Sequence, residues 1–134
     1  YYHLVEAVQR GAWLMVAAGA VTGELGNTAC RWAERLLDDG LVHLLASDAR
    51  DSVHRPPRLS AGRTAAAYWV GADEAERLVL QRPAAVIANH HPQQVTPPPA
   101  LVAANGEAAC PADIRTGGTT SWVTRLLHAA VATR

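Results

Sequence analysis

The sequence lacks the features that mark several large classes of protein. Its 134 residues carry no net charge, because 12 basic residues, all of them arginine, balance 12 acidic residues. A nucleic-acid-binding surface is therefore not indicated, since such surfaces carry an excess of positive charge. No apolar run approaches the roughly 18 residues that suggest a membrane span. The composition is that of a globular chain long enough to bury a hydrophobic core.

Cysteine is also scarce, and the first residue is not methionine. Cys30 and Cys110 lie too far apart in sequence to suggest a paired metal site, so we expect reduced thiols and a cytoplasmic location. The chain begins at Tyr1 and has no signal-peptide pattern at its start. We therefore expect it to be a piece of a longer protein.

The first half of the chain alternates between helical and strand patterns. Residues 3–10 have apolar residues at helical spacing, and residues 12–17 read as a buried strand. A glycine-containing loop then leads to an amphipathic helix, residues 27–39, which Asn27 or Thr28 can cap and Gly40 can end. Residues 41–46 read as the second strand. This order predicts an α/β fold in which the two strands are adjacent and parallel.

The second half is predicted to be helical and then irregular. Ser60 can cap a helix that runs to about Val70 and is closed by Gly71. A further helix is expected from Asp73 to Gln81, with Pro83 ending it. Residues 92–120 are rich in proline, glycine and small residues, so we expect a disordered linker there. A short helix over residues 121–134 would follow it.

The stretch "HLLASDARDSVHRPP", residues 43–57, contains the main candidates for chemistry. Ser47 and Asp48 follow the second predicted strand, at the end where acidic residues of α/β folds often reach an active site. The alternative is that Asp48 caps the following turn. His43 is expected to be a hydrogen-bonded structural residue, and the pair His90-His91 to be a surface feature.

Several motifs together resemble one known family. They are the T-G-x-x-G loop at Thr22–Gly26, the run "LLDDGLVHLLASDA" over residues 36–49, and R-P-P at Arg55–Pro57. In this combination the chain resembles the C-terminal part of bacterial PHP-type metal-dependent protein-tyrosine phosphatases of capsular and exopolysaccharide synthesis. The resemblance covers roughly residues 1–90.

The resemblance implies a fold, a cofactor and site residues. The fold would be the C-terminal portion of a (β/α)₇ PHP barrel, followed by a Pro-rich extension, and the cofactor a divalent metal, manganese in particular. The family motif S-D-A-H places a metal ligand at Asp48 and a second at position 50. Arg50 stands there instead, and a guanidinium has no lone pair to offer a metal. Arg55 would bind the phosphate, and the implied partner is a tyrosine-phosphorylated kinase that regulates polysaccharide synthesis.

The same resemblance leaves the activity of this chain open. The family's upstream metal ligands and its H-P-E-R motif have no counterpart here, so the chain lacks most of the metal ligands. One hypothesis is a fragment of a phosphatase that hydrolyses phosphotyrosine. The other is a truncated or decayed homologue with at most a binding or structural role.

We also expect Arg50 to lie beside Asp48, because residues two apart on an extended segment point the same way.

Overall fold

The computed structural model describes residues 1–104 of the chain, which form helices around a small parallel sheet. In chain order the elements are α1 (Tyr2–Gln9), β1 (Met15–Ala17), α2 (Ala18–Val21), α3 (Asn27–Asp38), β2 (Leu44–Ala46), α4 (Ser60–Val70), α5 (Ala72–Glu76), a π-helical turn (Arg77–Gln81), α6 (Arg82–Ile87), a 3₁₀ turn (Pro92–Gln94) and α7 (Pro99–Ala104). None of these helices is long and apolar enough to cross a membrane.

The two strands are adjacent and parallel, as the sequence predicts. Met15 pairs with Leu44 and Ala17 with Ala46, so the carboxyl ends of both strands lie at the same edge of the sheet. Each strand has only three residues and is shorter than predicted. The α3 helix connects the two strands, and its buried leucines share one apolar cluster with the centres of both strands.

Glycine residues, more than side-chain caps, set the limits of the helices. The residue before α3 is Gly26, with φ of 91°, and neither Asn27 nor Thr28 caps the helix as the sequence suggested. Similarly, Ser60 is the first residue of α4 and forms no capping bond. Gly71 does close α4, with φ of 82°, because glycine adopts positive φ without steric cost.

Pro83 does not end the helix that precedes it. The chain stays helical from α5 through the π-helical turn into α6. In this turn the N–H of Arg82 donates to the carbonyl of Arg77, five residues earlier. The wider turn accommodates the proline ring, which has no N–H to donate and would clash with the preceding turn of an ordinary α-helix. The prediction that this helix ends at Gln81 is therefore wrong.

The segment after His91 is also more regular than predicted. Residues 92–104 contain the 3₁₀ turn and α7, and they bury three apolar side chains: Val95, Pro98 and Ala100. The backbone N–H of Ala100 donates to the carbonyl of Gly40 at 3.1 Å, which fixes α7 beside the end of α3. The expectation of a disordered linker is thus wrong for residues 92–104. Residues 105–120 and the predicted helix at 121–134 lie outside the described residues.

Candidate functional site

The loop that follows β2 brings together two of the predicted site residues. Asp48 lies two residues past the end of the strand, and its Oδ2 is 2.6 Å from Nη2 of Arg55. About 40% of the Asp48 side chain and 33% of the Arg55 side chain are exposed to solvent. The two residues therefore form an ion pair that an incoming ligand can reach.

The backbone of this loop is held by Asp51. Its Oδ1 accepts hydrogen bonds from the backbone N–H groups of Val53, at 2.8 Å, and of His54. These bonds lower the pKa of Asp51, with the bond from His54 contributing most. The N–H of Arg50 also donates to the carbonyl of Arg55 at 3.1 Å, which closes the loop. The turn is therefore capped by Asp51. The alternative that Asp48 caps it is wrong.

Arg50 does not pair with Asp48, contrary to the expectation from their spacing. Asp48 has φ of 50°, so the chain turns there and the rule for extended segments does not apply. The arginine that reaches Asp48 is Arg55, seven residues further along. Arg50 is exposed, and within residues 1–104 its side chain forms no ion pair. Only the sequence motif indicates that Arg50 stands at the position of the family's second metal ligand.

The loop between α2 and α3 is shaped by glycine. Gly23 and Gly26 both have positive φ, 83° and 91°, which agrees with a loop defined by backbone requirements. Cys30 follows in α3, with its Sγ 3.6 Å from Oε1 of Glu34. Desolvation, together with the charge of Glu34, raises the pKa of the Cys30 thiol. This thiol is not activated as a nucleophile, because the thiolate is disfavoured.

His43 is a structural residue, as the sequence indicated. It is 4% exposed, its Nδ1 accepts a hydrogen bond from the N–H of Leu14 at 3.2 Å, and its ring stacks on Trp13. Burial, followed by the nearby charge of Arg82, lowers the pKa of His43 to about 4. The imidazole is therefore neutral at pH 7. Its hydrogen bond with Leu14 joins the residue just before β2 to the residue just before β1.

Acid should destabilise the fold through His43. Its folded-state pKa of about 4 lies below the ordinary value of 6.5, so the unfolded chain binds the proton more readily. The free energy of unfolding should then fall as the pH decreases from about 6.5 towards 4, with a slope of up to about 1.4 kcal/mol per pH unit from this group. Urea unfolding measured at several pH values would check this.

The control for this experiment is His43→Gln, which has no titrating group. The variant should be less stable than the wild type at pH 7 and should have a shallower pH dependence between 6.5 and 4. Equal slopes for the two proteins would contradict the assignment of His43 as a buried neutral base.

The pair His90-His91 lies on the surface. Both side chains are exposed, and Nδ1 of His91 accepts from the N–H of Gln93 at 3.5 Å at the start of the 3₁₀ turn. Within residues 1–104 no three histidine, cysteine, aspartate or glutamate side chains are grouped so that they could hold a metal ion.

A buried ion pair lies next to His43, the residue that precedes β2, and the sequence did not indicate it. The Arg82 side chain is 1% exposed, and its Nη2 lies 2.6 Å from Oε1 of Glu74. Its remaining donors reach the backbone carbonyls of His43, Thr96 and Pro97. Arg82 therefore joins α5, α6, the residue before β2 and the segment before α7. The one local signal was an arginine within an otherwise apolar helical pattern.

Comparison with known proteins places the chain in a family. The family described as "Capsular polysaccharide synthesis, CpsB/CapC" matches residues 2–88. This match contains both strands, the loop with Asp48 and Arg55, and the helices up to α6. No curated protein and no solved structure was found to match the chain. The match covers more than half of the sequence and confirms the resemblance seen in its motifs: the chain belongs to the CpsB/CapC family of capsular polysaccharide synthesis.

Proposed function

We propose that the protein hydrolyses phosphotyrosine in a partner protein and that Arg55 binds the phosphoryl group. The observation that carries this proposal is the meeting of Asp48 and Arg55 at the carboxyl end of β2. In α/β folds this end of the strands is where ligands bind. By the resemblance, the partner is a tyrosine kinase that regulates polysaccharide synthesis, and the described residues are the C-terminal portion of a PHP barrel.

The chemistry of Arg55 suits a phosphate monoester. Its guanidinium stays protonated and offers a planar set of N–H donors that matches two phosphate oxygens. Two further arginines, Arg50 and Arg58, lie in the same loop and are exposed. Three arginines and two aspartates give this loop a small net positive charge, which favours an anionic group and the charge that spreads over the phosphoryl oxygens during transfer.

The role of a metal is a separate part of the proposal. By the resemblance the family uses a divalent metal, manganese in particular, and Asp48 is its matching ligand. Asp48 is accessible, but its carboxylate is already paired with Arg55, and no group of ligands surrounds it in residues 1–104. The described residues do not form a metal cluster by themselves, and Arg55 would contact the phosphoryl oxygens directly through its own N–H donors.

The test is hydrolysis of a phosphotyrosine peptide by the full polypeptide that the gene encodes, with manganese added. Arg55→Gln should lower kcat/KM by at least tenfold, because a charge-assisted hydrogen bond to phosphate contributes about 1.5–3 kcal/mol. The matched control is Arg58→Gln, which removes an exposed arginine from the same loop and should change kcat/KM by less than about threefold.

Two outcomes would contradict the proposal. If Arg55→Gln behaves like the wild type while Arg58→Gln loses activity, the phosphate is bound by a different arginine. If the full polypeptide does not hydrolyse the peptide at all, the alternative of a non-catalytic homologue is favoured.

A further inference from the structure

We infer that Asp48 acts in this chain as the counter-ion that restrains Arg55, so that a phosphate must displace Asp48 in order to bind. This inference rests on the proposed function, since it concerns the same arginine. It assigns Asp48 a positioning role that differs from the metal-ligand role implied by the family motif. The ground for it is the 2.6 Å contact between Oδ2 of Asp48 and Nη2 of Arg55, which already engages the carboxylate that the family motif assigns to a metal.

The loop is built so that the Arg55 side chain can move while its backbone stays in place. Asp51 accepts from the N–H of Arg55 at 3.4 Å, and the carbonyl of Arg55 accepts from Arg50 at 3.1 Å. Pro56 and Pro57 then restrict the backbone that follows. Changing partner from Asp48 to a phosphate therefore requires rotation of one side chain and no rearrangement of the loop.

The strength of the pair is suited to such an exchange. Both side chains are about one third or more exposed, so solvent screens the attraction between them. A phosphate dianion carries more charge than a carboxylate and offers more acceptor oxygens to the same guanidinium. Phosphate can therefore outcompete Asp48, whereas Asp48 keeps weakly bound anions such as chloride or acetate away from Arg55.

The experiment measures binding of inorganic phosphate, and then of phosphotyrosine, by calorimetry without added metal. The four proteins are the wild type, Asp48→Asn, Arg55→Gln and the double variant. Asp48→Asn should tighten phosphate binding by about 1.5- to fivefold, the range expected from removing one partly exposed competing ion pair. Arg55→Gln should weaken it by about tenfold or more. In the double variant the gain from Asp48→Asn should disappear.

A spectroscopic readout separates this role from a merely structural one. The Nε–Hε resonance of Arg55 in the wild type should shift when phosphate is added. In Asp48→Asn, before phosphate is added, this resonance should have the chemical shift of an arginine without an ion-pair partner. The urea midpoint of Asp48→Asn should stay close to that of the wild type, because an exposed pair contributes little to folding.

The outcomes distinguish the two proposals. If Arg55→Gln leaves phosphate affinity unchanged, the phosphate-binding role in the proposed function fails. If Arg55→Gln weakens binding but Asp48→Asn does not tighten it, the inference about Asp48 alone is overturned. A gain from Asp48→Asn that persists in the double variant would also overturn it, because the effect would then reflect the charge of the loop as a whole.

Discussion

Replacing Arg82 with methionine is expected to lower the free energy of unfolding by about 3–5 kcal/mol. Methionine keeps much of the length of the side chain but removes its charge and its donors. Glu74, whose side chain is 8% exposed, would then keep Arg77 as its partner at 3.1 Å and lose the buried one. The carbonyls of His43, Thr96 and Pro97 would each lose a donor as well. Breaking a buried pair on one side is costly because the carboxylate of Glu74 keeps only its half-exposed partner and three buried acceptors lose their donors.

Arg77→Met is the matched control for this variant. Arg77 binds the same carboxylate of Glu74, but its side chain is 39% exposed. Its removal should therefore cost less than about 1 kcal/mol. Urea unfolding at pH 7 would compare the two variants with the wild type. If both variants lose the same small amount of unfolding free energy, Arg82 does not hold these elements together.

The double variant Arg82→Met/Glu74→Met tests the reason for the loss. It also removes the carboxylate that has lost its buried partner, so part of the stability should return. The return should be incomplete because the three carbonyls remain without Arg82. Hydrogen exchange should also show faster opening of residues 95–104 in Arg82→Met, since two of the three carbonyls belong to Thr96 and Pro97 in that segment.

Arg82 also shows why the sequence did not predict the segment after α6. The proline-rich composition of residues 92–120 suggested a linker, because composition reports only on the segment itself and not on its contacts with distant residues. The segment is ordered through Arg82, which lies 14 and 15 residues before the carbonyls it binds, and through Gly40, which accepts from Ala100. Such contacts depend on the arrangement of distant elements and leave no pattern in the segment itself. Thr96 and Pro97 also lie beyond residue 88, where the family match ends.

Elements defined by local rules were predicted more successfully. The α4 helix ends at Val70 as predicted, because the helical pattern is followed by a glycine that adopts positive φ, and it begins at Ser60, the residue that was expected to cap it. The parallel pairing of β1 and β2 followed from two short apolar runs separated by a helix. The π-helical turn at Pro83 was not foreseen, since an internal proline ends most helices.

The candidate site was predicted in part. Asp48 and Arg55 were both identified as candidates, but as separate residues with separate ligands. Their contact depends on the positive φ of Asp48 and on the turn closed by Asp51, and neither can be derived from spacing. Arg50 was expected to lie beside Asp48, because the spacing rule assumes an extended chain. In the structure Arg55 lies there instead.

Gly62→Ala is expected to destabilise the protein by about 2–3 kcal/mol, although alanine normally favours a helix over glycine by up to about 1 kcal/mol. Gly62 is buried in α4 where this helix crosses the start of α2. A Cβ atom added there would lie 2.5 Å from Cβ of Ala18 and 3.0 Å from its Cα. Both distances are shorter than van der Waals contact, and neither helix backbone can move without disturbing the core. The two helices should therefore separate locally.

A second substitution tests whether the contact with Ala18 is the cause. Ala18→Gly alone should cost about 0.5–1 kcal/mol through helix propensity. Combined with Gly62→Ala it removes the closest of the two clashes, so the double variant should be more stable than the sum of the single effects predicts. Thermal or urea unfolding of the four proteins gives the coupling directly. A stabilising effect of Gly62→Ala, or strict additivity of the two changes, would show that the close approach does not limit the packing.

The same contact links the fold to the candidate site. Ala18 comes directly after β1, and α4 follows the loop that contains Arg55. Close packing of Gly62 on Ala18 therefore holds the chain after Arg55 against the carboxyl end of the neighbouring strand. We expect Gly62→Ala to weaken phosphate binding as well as the fold, and the double variant with Ala18→Gly to recover part of both. Recovery of stability without any recovery of phosphate binding would show that the position of α4 does not determine the position of Arg55.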